Sequence, residues 1–110
     1  MRESSFVRPA DLQVKLVQKK VGGCHRIVIC AHKNAGSLGK RSVETIRDAL
    51  ATRVDGIDLK LIRTPLAQSH SYLILMVISL PEDTPWTKAV WYKHTVRRVV
   101  NDQPKELLIA

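Results

Sequence analysis

Residues 12–31 and 57–76 carry one hydrophobic pattern twice, at a constant offset of 45 residues. Leu12, Val14, Leu16, Val17, Val21, Ile27, Val28 and Ile29 stand against Ile57, Leu59, Leu61, Ile62, Leu66, Tyr72, Leu73 and Ile74. Lys15 and Lys60, and His25 and His70, are matched pairs of one residue type. After one residue of slippage, Val43, Ile46, Leu50 and Val54 match Ala89, Tyr92, Val96 and Val100. Periodicities repeated in the same order predict two copies of one supersecondary unit packed about a pseudo-twofold axis.

Each copy reads as strand, strand, helix. Leu12–Val21 alternates at period two, Gly22 and Gly23 signal a turn, and Cys24–His32 is a second strand. Lys33–Arg41 reads as a loop, and a helix follows over 42–53, capped by Ser42 and ended by Asp55 and Gly56. The second copy predicts a strand at 57–63, a turn at 64–69 and a longer strand at 70–80. Thr84 before Pro85 predicts a capped start for a helix running to about Val100. The repeats 12–54 and 57–100 thus fall within one domain, 12–101, between an N-terminal arm (1–11) and a C-terminal tail (102–110).

Hydrophobicity ranks the strands. The second and fourth are apolar on both faces, while the first and third carry Lys15, Asp58 and Lys60. Strands buried on both sides belong in the middle of a sheet. The expected fold is therefore α+β: a ββα–ββα internal duplication forming a four-stranded antiparallel sheet, order 1-2-4-3, with both helices on one face. The helix-free face then calls for cover, and a second subunit meeting it at Val17 and Ile62 is the economical choice.

At 110 residues the chain is long enough for one core without metal or disulfide staples. Its net charge of +8 points to polyanionic partners. The positive charge is segregated along the chain. Between Leu12 and Val43 lie Lys15, Lys19, Lys20, Arg26, Lys33, Lys40 and Arg41 with no acid, and between Thr84 and Asn101 lie Lys88, Lys93, Arg97 and Arg98, again with none. A solvated surface that happens to lack acids gives the same pattern, so the count alone does not make a site.

The loop from His32 to Arg41 sets Gly36 and Gly39 among cations before a helix, which suits a phosphate. It departs from the Walker A pattern, because Asn34 stands in place of its first glycine and Arg41 in place of Ser or Thr. On the second helix, Trp91 falls opposite the buried stripe, near His94 and Arg98, where an indole could stack on a base or fill a partner's pocket. Cys24, His25, Cys30 and His32 lack the spacing of a zinc site, and the two cysteines are read as reduced thiols. No nucleophile elbow, paired carboxylates or dinucleotide fingerprint is present, so no catalysis and no cofactor is expected.

These observations predict a small intracellular homodimer that binds nucleic acid by charge and shape, RNA more than DNA, with no membrane association and with a larger protein or ribonucleoprotein assembly as a further candidate partner. Its expected contacts are Lys15, Lys19, Lys20, Lys33, Lys40, Arg41, Trp91, Lys93, His94, Arg97 and Arg98. The competing reading is a structural subunit whose apolar sheet face and basic surface bind other proteins.

Overall fold

Alternation in the first two strands divides their side chains between a dry face and an open one. The computed structural model describes residues 6–7, 12–19, 22–32, 40–65, 67–68, 71–103 and 107–108, with side chains described between 12 and 103 except at 40–42 and 67–68. In chain order these form β1 (Phe6–Val7), β2 (Leu12–Val17), β3 (Arg26–His32), α1 (Lys40–Arg53) and a 3₁₀ turn (Leu59–Leu61). There follow β4 (Ile62–Arg63), β5 (Ala67–Gln68), β6 (Tyr72–Ser79), α2 (Trp86–Asn101) and β7 (Leu107–Leu108). The main sheet is antiparallel in the order β2-β3-β6-β4, with β5 also paired to β6. This is the predicted α+β sheet, its two most apolar strands at the centre. The arm and the tail meet as well, since β1 pairs with β7 in a separate two-stranded ribbon.

The register sorts the faces. Leu12, Val14 and Leu16 lie opposite Ala31, Ile29 and Ile27, and Ile29 and Ile27 lie opposite Met76 and Ile78. All of these belong to or pack against one core, joined by Val43, Ile46 and Leu50 from α1 and Ala89, Tyr92, Val96, Val99 and Val100 from α2. Both helices therefore bury their apolar stripes on the same side of the sheet. At their C-terminal ends Arg53 of α1 reaches Asp102, 2.6 Å away. Both side chains are about half exposed, so the pair contributes little more than about 0–1 kcal/mol.

One irregularity in β6 shapes its burial. Ile29 pairs with Met76 but Cys30 pairs with Ile74, so Leu75 is an extra residue in the ladder. The bulge turns Leu75 and Met76 both into the core, each 1% exposed, and leaves Ile74 partly exposed on the other face.

Several expectations are corrected. The strand expected at 57–63 is broken by a 3₁₀ turn at Leu59–Leu61, leaving only Ile62–Arg63 paired as strand. Its cause is Asp58, whose side chain accepts the Lys60 N–H at 3.0 Å and so offers the backbone an alternative to a ladder. Helix α1 starts at Lys40 rather than Ser42, so Ser42 lies inside the first turn and is no cap. Lys and Arg have higher helix propensity than Ser. At α2 the cap position falls to Pro85, still extended at φ −69°, ψ 153°. Thr84 is buried, with its N–H donating to Pro81 O at 3.0 Å.

The equivalence of Val17 and Ile62 also fails. Val17 pairs with Arg26 on the open face and is 39% exposed. Ile62 pairs with Ile78 on the core face and is 4% exposed, so it has no surface to give a second subunit. An offset of 45 would place Ser71 opposite Ile62, but Ile78 stands there. The second hairpin takes more residues to return, and its phase changes by one.

Candidate functional site

The helix-free face of the sheet can be written as rows across its strands. Val17, Arg26 and Ser79 form the first row, and Lys15, Val28, Val77 and Arg63 the second. Gln13, Cys30 and Ile74 form the third, and His32 and Tyr72 the fourth. Its middle is apolar and partly exposed at Val28, Ile74 and Val77, while its margins carry Lys15, Arg26, Arg63 and His32. No strand of the sheet contains an acidic residue. The positive charge of this face is thus uncompensated within it.

Tyr72 shares this face with His32, and the rings of both and the Lys15 ammonium meet there. The Lys15 ammonium lies 3.9 Å above the Tyr72 ring centroid, and the His32 ring meets that ring edge-on at 6.1 Å. A cation–π contact at so exposed a lysine is worth ~0.5–1 kcal/mol. Beneath them Cys30 is 2% exposed, and burial pushes its thiol up, partly offset by the nearby Lys15 charge. Burial therefore disfavours its thiolate, the reactive form.

Where the first row ends, the chain turns through Gly22 and Gly23 at φ +63° and +70°, left-handed values that favour glycine. The turn closes a cleft of ≈ 670 Å³ lined by Lys19, Arg26 and Arg63, with Val17, Cys24 and Ser79. Lys19 is braced there: its Nζ donates to Glu82 O at 2.7 Å and its backbone N–H to Nδ1 of His25 at 3.0 Å. His25 is buried, its ring 5.2 Å from that of Trp86 in an edge contact. The histidine therefore serves the turn, its Nδ1 accepting the Lys19 N–H. Lys19, Arg26 and Arg63 thus line one volume, with the Lys19 ammonium held by the Glu82 carbonyl.

A second cleft, of ≈ 570 Å³, runs along the outer edge of β2 and is lined by Gln13, Lys15, Arg97 and Asn101, among others. The Arg97 guanidinium donates to Val14 O at 3.4 Å, satisfying a carbonyl on the sheet's free edge. Arg97 thus brings the charge of α2 round the edge to Lys15.

The predicted contacts separate into groups. Lys15, Lys19 and Arg97 are brought to the open face or its edge. Trp91 (49% exposed), Lys93, His94 and Arg98 sit on α2, in the layer on the far side of the sheet. Trp91 packs edge-on against Tyr92, with centroids 5.1 Å apart. Lys20, Lys33 and the side chains of Lys40 and Arg41 lie outside the described residues, as does most of the basic loop. Arg63 and Tyr72 were not singled out from sequence, and Arg26 was counted in the basic run but not among the expected contacts. The alternation Ile62-in, Arg63-out would have flagged Arg63, had the phase of that strand been right.

Among the described residues, no group of three or more His, Cys, Asp and Glu side chains could hold a metal ion. No helix among them is long and apolar enough to cross a membrane. Comparison with protein-family models, with curated proteins and with solved structures found no match for this chain.

Proposed function

We propose that the chain binds nucleic acid, and that the helix-free sheet face is the contact surface. The observation that carries this reading is the acid-free face itself, with Lys15, Arg26 and Arg63 at its margins and Lys19 at its end. A surface of one charge sign attracts a phosphate backbone through counterion release, whatever its sequence. The partly exposed valines and Tyr72 add apolar area that phosphates do not use and bases do. We also read the repeated order strand, strand, helix as descent from a duplicated unit whose second half has diverged in register.

Replacing Lys15, Arg26 and Arg63 together by alanine is expected to weaken binding to RNA or DNA and to reduce the salt slope by about 2–3 units, at ~0.7–0.9 per lost phosphate contact. All three side chains are exposed, so stability should change by less than ~0.5 kcal/mol for Arg26 and for Arg63, and by up to about 1 kcal/mol for Lys15, which also loses its contact with Tyr72. Titration by fluorescence anisotropy from low to moderate salt reads both quantities. Unchanged affinity and slope in the triple variant would reject this face as the site, and the protein-binding subunit reading would take its place.

A further inference from the structure

We infer that the nucleic acid taken by this face is single-stranded, with a backbone phosphate in the Gly22–Gly23 cleft and a base on Tyr72. The inference rests on the reading above and adds the class of ligand and its direction across the sheet. The face is too wide for the major groove of B-form DNA: four strands spaced ~4.8 Å apart span about 14 Å before side chains are counted, against a groove ≈ 12 Å wide. Laid on the outside of a duplex, the face would touch phosphates only, and Val28, Ile74, Val77 and Tyr72 would lose water with no apolar partner. Unstacked bases supply that partner.

The two ends of the face differ in what they offer. At one end Lys19, Arg26 and Arg63 line a cleft with no carboxylate among its lining residues, chemistry that fits a phosphate. Across the sheet, Tyr72 pairs with His32, six residues along β3 from Arg26, or roughly 20 Å at ~3.3 Å per residue. That separation suits a short run of nucleotides rather than a mononucleotide. The Lys15 ammonium now above the Tyr72 ring is the weaker occupant, because an exposed cation–π contact is worth less than base stacking. A base would displace it, and the freed ammonium would stand beside the incoming backbone.

The test compares single-stranded RNA and DNA oligonucleotides with the duplexes of the same length and sequence, by anisotropy at fixed salt. The single strands are expected to bind at least tenfold more tightly. Tyr72→Ala should weaken single-strand binding roughly five- to hundredfold and leave the salt slope alone, while Tyr72→Phe retains the affinity. Arg26→Ala with Arg63→Ala should lower the slope by about 1.4. Should Tyr72→Ala lose its native circular dichroism, Tyr72→Leu keeps apolar bulk without the π-face and is expected to show the same loss. Duplex bound as tightly as single strands, with Tyr72→Ala unchanged, would overturn this inference and leave the nucleic-acid reading standing. No binding of any of the four at low salt would overturn both.

Discussion

At the scale of single residues, Gly56 is the most constrained position outside the site. Its φ of +88° is left-handed, and a Cβ built there would stand 2.5 Å from the Tyr92 hydroxyl. Tyr92 is buried in the core of α2 and cannot swing aside freely. Gly56→Ala is therefore expected to cost about 1–2 kcal/mol from the backbone alone, and more from the collision. In a Tyr92→Phe background the next atom is 3.6 Å away, an ordinary contact, so only the backbone part should remain. Urea denaturation of the two single variants and the double variant reads the difference. Equal losses in both backgrounds would show that the hydroxyl is not in the way. The loop residue after α1 and the aromatic residue of α2 are thereby in close contact.

At the scale of elements, the phase of β4 carries the correction with most consequence. Val17 and Ile62 occupy matched positions in the sequence pattern but opposite faces of the sheet. Ile62→Ala is expected to destabilise by about 2–5 kcal/mol, the range for a large aliphatic core deletion, whereas Val17→Ala should stay within about 0.5 kcal/mol. Thermal or denaturant unfolding of both variants checks this. Comparable costs would mean that Val17 is also covered, by a partner copy. The phase changes because Asp58 diverts 59–61 into a 3₁₀ turn, so the chain re-enters the sheet with Ile62 inward and Arg63 outward. That accident of local hydrogen bonding is what brings Arg63 to the cleft beside Arg26 and Lys19.

At the scale of the whole molecule, the apolar surplus of the central strands is largely taken up within the chain. The bulge in β6 sends Leu75 and Met76 into the core together, and Cys30 is buried on the other face. What stays open is a narrow stripe rimmed by cations. Two copies meeting through it would set Lys15, Arg26 and Arg63 against their equals with no acid between them. Sedimentation of nucleic-acid-free protein at low salt is accordingly expected to give the mass of one chain, because unscreened like charges oppose that contact within a Debye length of ~10 Å or more. A dimer that persists at low salt, and that Val17→Asp dissolves, would return the face to self-association. Among the described residues the charge of α2 reaches this surface through Arg97, while Trp91 sits in the other layer.

Periodicity and composition by themselves determined the class of fold, the strand order and the two helices, because burial of alternating or helically spaced Val, Leu and Ile is a local pattern with few global solutions. They also carried the segregation of charge, which needs no structure to count. Tertiary structure alone decided which cations converge. A one-residue change of phase moves a side chain through the sheet, and both such changes here, the 3₁₀ turn at Asp58 and the bulge at Leu75, arise from geometry that a hydrophobic pattern does not record. Arg63 and Tyr72 joined the site for that reason, and Ile62 left the surface for the same one.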